Sequence, residues 1–100
     1  MNRYPTKKEL KFIKDFDIIH KPIGELIDYI EQIWKYGDWG FKKLPHKLEL
    51  HTGGWSGNED IINSLQQNFL FWSLYWSEAH KGGHYYFNDD CVSEEQKFKW

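Results

Sequence analysis

Three histidines, His51, His80 and His84, fall in the second half of the chain with Ser56, Cys91 and the carboxylates Glu59, Asp60, Asp89 and Asp90. These residue types carry metal ligation, acid–base catalysis and nucleophilic attack. His80 and His84 flank a predicted hairpin turn and His51 lies in a separate predicted strand, but no HExxH or Cys/His ligand framework accompanies them. No metal and no cofactor is expected. A Cys–His nucleophile would need Cys91, and the adjacent Asp89 and Asp90 disfavour its thiolate. Gly54 to Asn58, GWSGN, superficially matches a G-x-S-x-G nucleophile elbow. That motif belongs on a strand-to-helix turn in a large parallel sheet, which 100 residues cannot build, so Ser56 reads as a helix cap. No catalytic set assembles, and an enzyme is the least favoured functional class.

The richer signal is the corner around these residues. Leu48 to Thr52 runs into Gly53-Gly54-Trp55-Ser56-Gly57, and a short helix follows. Anion binding at that helix N-terminus is disfavoured, because Glu59 and Asp60 in its first turn already answer the positive end of the dipole. The glycines are expected to supply positive φ, with Ser56 or Asn58 capping the helix. Trp55 has two readings, a core plug or a projecting anchor for a planar ligand or a protein partner. The projecting reading makes Trp55 the centre of a binding surface with His51, His84, Gly54, Ser56, Asn58, Tyr85 and Trp39.

The elements that must hold this corner follow from periodicity. Thr6 to Glu9 has capping-box spacing and opens a short helix with Leu10 and Ile13 on one face. Pro22 then starts a second helix, in which Ile23, Leu26, Ile27, Ile30, Ile33 and Trp34 recur at helical spacing, with Gly37 as C-cap. Residues 37–47 read as loop. Lys47 to Thr52 alternates as a half-buried strand, with Leu48 and Leu50 on one side and Glu49 and His51 on the other. Residues 69–78 fit a strand, since Leu70, Trp72, Leu74 and Trp76 alternate, or a helix, since Phe69, Trp72 and Trp76 also fit helical spacing. Strand is preferred, closing a hairpin through Lys81-Gly82-Gly83 to His84–Phe87. The expected fold is α+β: one compact domain over residues 1–88, two N-terminal helices packed on a three-stranded antiparallel sheet, and a loosely ordered tail over 89–100. Its core is expected from Ile27, Ile30, Trp34, Leu48, Leu50, Ile62, Leu65 and Trp72.

Charge narrows the partners. Residues 1–48 hold ten Lys/Arg against seven Asp/Glu, whereas residues 49–100 hold three against eight. The aromatic half is therefore the acidic half, which disfavours stacking on nucleic acid. A lone cysteine fits a reducing compartment. No run approaches a membrane span and no hydrophobic signal core opens the chain. A cytoplasmic protein is expected.

The motif TGGWSGNED at 52–60, the Phe71-Trp72 pair, Trp76 and GGHY at 82–85 resembles a group of short proteins encoded by phages and prophages. The similarity covers about residues 47–87. The resemblance implies no particular chemistry; it implies a small accessory protein acting in the cytoplasm of a bacterial host. The first functional expectation is accordingly a non-catalytic protein that binds and blocks a host protein, in counter-defence. The alternative is sequestration of a planar metabolite or nucleotide signal in an aromatic, histidine-lined pocket.

Overall fold

The computed structural model describes residues 3–100. Helix α1 (Lys7–Asp15) opens with the expected capping box: the Thr6 hydroxyl accepts from the Glu9 N–H, and the Glu9 carboxylate accepts from the Thr6 N–H. Arg3 donates twice to the same carboxylate, at 2.9 and 2.6 Å. Helix α2 (Ile23–Ile33) follows Pro22 and buries Ile23, Leu26, Ile27, Ile30 and Ile33 along one stripe. It stops earlier than the sequence suggests. Trp34 turns to extended backbone so that its indole enters the core, and the left-handed residue is Tyr36 at φ 67, not Gly37. Gly37 instead begins a single turn, α3 (Gly37–Gly40).

The expected loop over 37–47 is also corrected: besides α3 it contains strand β1 (Phe41–Leu44), which turns through His46 into β2 (Lys47–His51). Phe41 pairs with Leu50 and is buried, but Lys43, on that same face, pairs with Leu48. Its ammonium reaches out to Glu31 at 2.7 Å and Asp28 at 3.5 Å on α2. A lysine at an inward position, snorkelling to the sheet edge, breaks the apolar alternation that would have announced the strand.

After α4 (Ser56–Gln67) the chain breaks at Asn68 and restarts as α5 (Phe69–Tyr75), then becomes β3 (Trp76–His80) and β4 (His84–Asn88). The expected strand over 69–78 is therefore helical for its first seven residues. Alternation is not what buries this segment: Leu70 and Trp76 are exposed, whereas Phe71 and Tyr75, one helical turn apart, are fully buried and stack on each other. Asn68 fixes the break. Its side-chain oxygen accepts from the Phe71 N–H, while its amide donates to the Ile13 and Phe16 carbonyls, both at 3.0 Å. One buried side chain thus caps the start of α5 and the end of α1.

The sheet is antiparallel throughout, in the order β1-β2-β4-β3, with four strands where three were expected. The expected α+β class, with two N-terminal helices preceding the strands, is the architecture observed. Leu48, Leu50 and Phe87 on the covered face join Ile13, Leu26, Ile27, Ile30, Trp34, Ile61, Ile62, Leu65 and Phe71 in one core. Trp72 packs against that core but is only partly buried. The tail is not loose. Phe98 stacks on Tyr75, the Tyr75 hydroxyl donates to the Gln96 carbonyl at 2.5 Å, and the Trp100 indole donates to the Leu44 carbonyl. One apolar anchor in a polar stretch gives no periodic signal, which hides this packing from the sequence.

Candidate functional site

Gly53 and Gly54, at φ 63 and 75, reverse the chain after β2, as the glycine-rich corner requires. Gly53 also makes room: a Cβ there would stand 2.8 Å from the Tyr36 ring and 2.9 Å from Trp39, which stack over it at 5.3 Å. The corner interlocks with the hairpin turn, since the Thr52 N–H donates to the Gly83 carbonyl and the Thr52 hydroxyl fills the place of a Gly83 Cβ. Gly57 does not take positive φ; it lies in α4 and forms the floor under Trp55, whose ring would meet a Cβ there.

Trp55 is half-buried, neither a core plug nor a free projection. Its ring lies 5.0 Å from that of Tyr4, and the Lys35 ammonium sits 4.9 Å from the Trp55 ring and 5.2 Å from the Tyr36 ring. Tyr4, Trp55, Lys35, Tyr36 and Trp39 therefore form a continuous aromatic–cationic row. Tyr4 is 59%, Trp39 48% and Tyr36 38% exposed, so most of this row meets solvent. Such cation–π contacts contribute about 0.5–1 kcal/mol each at exposed sites, enough to order the rings but little of the fold's stability.

The other expected site residues divide. Gly54 is exposed with open space at its Cβ position, and the Ser56 hydroxyl donates to Tyr4 at 3.3 Å, so both belong to this corner. Neither Ser56 nor Asn58 caps α4; its N-cap position is Trp55, with no side-chain bond. The buried Asn58 amide is turned inward, accepting from the Lys35 N–H and donating to the carbonyls of Lys35 and Thr52. It holds the Lys35–Tyr36 segment against the corner and presents no polar atom to a partner. Tyr85 shares the inward face with Leu50 and Phe87 and leans edge-on against Trp72, away from the histidines.

His51 and His84 are cross-strand partners on the opposite, polar face, where their Nδ1 atoms approach to 2.7 Å. Glu49 and Tyr86 form the next pair, with Glu78 beside Tyr86 on β3. The flanking strands repeat a pattern: Glu49 contacts His51 Nε2 at 3.4 Å, Glu78 contacts His80 Nε2 at 2.9 Å, and both imidazoles stand edge-on to Tyr86. Glu49, Glu78 and Tyr86 line a shallow hollow of about 220 Å³. Among the described residues, no group of three or more His, Cys, Asp or Glu side chains is gathered as a metal site.

Sequence reasoning missed Tyr4, Lys35 and Tyr36 at the corner, and Tyr86 and Glu78 on the polar face. Tyr4 and Lys35 come from distant segments and carry no local signal. Glu49 and Tyr86 were accessible in principle, since strand alternation puts each on the same side as the histidine two residues away.

Comparisons with protein-family models, curated proteins and solved structures returned no match to this chain. The functional reading therefore rests on the residues themselves. Among the described residues, no helix is long and apolar enough to cross a membrane.

Proposed function

We propose that this protein is a non-catalytic binding module whose exposed aromatic–cationic row docks on a host protein and blocks it. The observation that carries the reading is the row itself: Tyr4, Trp55, Tyr36 and Trp39 ordered around one lysine on a glycine-built corner. Trp and Tyr are the side chains most enriched among residues that dominate protein–protein affinity. Rings held in place before contact lose little freedom on binding. The resemblance to phage-encoded proteins supplies the proposed setting, the cytoplasm of a bacterial host, and the proposed role in counter-defence.

The alternative, a planar ligand sequestered between rings, draws less support. The hollows of about 350 and 330 Å³ are lined by Ile18–Pro22 with Gln96, and by α1 with α4; neither includes Trp55, His51 or His84. An enzymatic role would need a nucleophile, a base and a carboxylate in mutual reach. Among the described residues the Ser56 hydroxyl bonds to Tyr4, and Cys91 is exposed beside Asp90.

The test is affinity capture from bacterial lysate with wild type and the Trp39→Ala/Trp55→Ala double variant, with mass spectrometry of retained proteins and small molecules. The expected result is one protein retained in stoichiometric amount by wild type and lost by a variant that still folds. Equal retention by both, or retention of a small molecule alone, would refute the reading.

A further inference from the structure

The polar sheet face bears chemistry that the aromatic row does not use. We propose that His51 and His84 form a two-imidazole chelate for one divalent transition-metal ion of the zinc or nickel kind. Two neighbouring strands deliver their Nδ1 atoms to 2.7 Å, a separation that leaves room for a single shared proton. Glu49 Oε1 lies 3.4 Å from His51 Nε2 and so places the His51 proton on Nε2, leaving the Nδ1 lone pair directed at His84. A carboxylate behind a ligating histidine is the usual arrangement at metal centres, where it fixes the tautomer and raises the basicity of the ring.

Metal-free, His84 donates its Nδ1–H to His51. On binding, that proton moves through solvent to His84 Nε2, both Nδ1 lone pairs turn to the ion, and no charge is lost from the protein. Metal–nitrogen bonds of about 2.0–2.1 Å require the two nitrogens to stand roughly 2.9 Å apart in octahedral and roughly 3.3 Å in tetrahedral coordination. The nitrogens need to part by only a few tenths of an ångström, and both rings must turn so that their lone pairs converge on the ion instead of on each other. His84 has space for this because it lies over Gly82, where a Cβ would stand 3.2 Å from Nε2. Glu49 and Glu78 place negative charge beside the pair, offset in part by Lys42 opposite Glu49 and Lys47 two residues along β2. His80 pairs with His84 in the sheet but is turned to Glu78 and Tyr86, so it is not a ligand. The protein supplies two donors and leaves the remaining positions to water.

Calorimetric titration of the full chain with Ni²⁺ and with Zn²⁺ tests the site. One saturable site is expected, weakened at least about 100-fold by either His51→Gln or His84→Gln, weakened about 10-fold by Glu49→Gln, and unchanged by His80→Gln. Imidazole ¹⁵N spectra of wild type give a readout independent of any variant: the Nδ1 signals of His51 and His84 should move with metal while those of His20, His46 and His80 stay. No saturable binding, or binding that His80→Gln reduces as much as His51→Gln, would overturn the proposal. So would unmoved Nδ1 signals. The aromatic row stands or falls separately, since none of its residues takes part.

Discussion

Single residues decide this corner, and Gly57 shows how. In an exposed helix interior Gly→Ala stabilises by about 1 kcal/mol. At Gly57 the added methyl would stand within 2.6 Å of three Trp55 ring atoms, so the indole must leave its seat. Gly57→Ala is therefore expected to give no gain in stability, to shift Trp55 fluorescence towards the solvated range, and to weaken partner retention. A variant more stable than wild type with unchanged fluorescence would contradict this account of the glycine. Trp55 itself is half-buried, so Trp55→Ala should cost clearly less than the about 3–5 kcal/mol of a fully buried aromatic such as Phe71. Chemical denaturation of both variants makes the comparison. Asn58 behaves in the opposite sense. Fully buried and bonded to Lys35 and Thr52, it should cost about 1–3 kcal/mol or more on replacement by Ala, since buried backbone groups then lose their partners.

At the scale of elements, what could be read from the sequence and what could not differ for physical reasons. Helix α2 and strand β2 were legible because each buries one regular face, at periods of 3.6 and 2. The turn and the return strand of the β3–β4 hairpin were legible because Gly82 and Gly83, at φ 93 and 81, do what only glycine does readily. Segment 69–78 was not, because its aromatics satisfy both periods, and the choice rests on Asn68 meeting carbonyls more than fifty residues earlier. At the site, strand parity gave the shared face of His51 and Glu49, whereas Tyr4 and Lys35 reach Trp55 only through the tertiary fold. If Asn68 sets the boundary, Asn68→Ala should deprive the Phe16 carbonyl and the Phe71 N–H of their side-chain partner and leave the Ile13 carbonyl with the Phe16 N–H alone. The expected loss is about 2–4 kcal/mol, with amide exchange accelerating first in the last turn of α1 and the first turn of α5. Protection unchanged at both ends would remove Asn68 from that role.

For the whole molecule, the decisive contact ties the tail to the sheet through Asp89. Its carboxylate, 1% exposed, is 3.0 Å from His46 Nδ1 and accepts from the Phe98 N–H at 2.9 Å, so one group fixes the β1–β2 turn and the tail segment that carries Phe98. Burial alone would raise its pKa, but the bonds from His46 and Phe98, together with the charges of His46 and Lys97, outweigh burial and hold it below the ordinary carboxylate value. Glu9 is held down to about 2, chiefly by the hydrogen bonds from Arg3 and against the opposing effect of burial. A carboxylate whose pKa is lower in the folded state binds protons more readily when unfolded. Its contribution to stability is therefore complete above the unfolded value of about 4 and is lost as the pH falls through the folded one. The fold should accordingly be insensitive to these two groups near neutrality and weaken between about pH 4 and pH 2. Asp89→Asn should lower stability at neutral pH and flatten part of that acid limb, with Phe98 and Trp100 becoming more accessible. Glu9→Gln should flatten the remainder without disturbing the tail. Urea unfolding at a series of pH values, read with tryptophan fluorescence, separates the two: an acid limb as steep in Asp89→Asn as in wild type would mean that the tail is held by Phe98 packing alone.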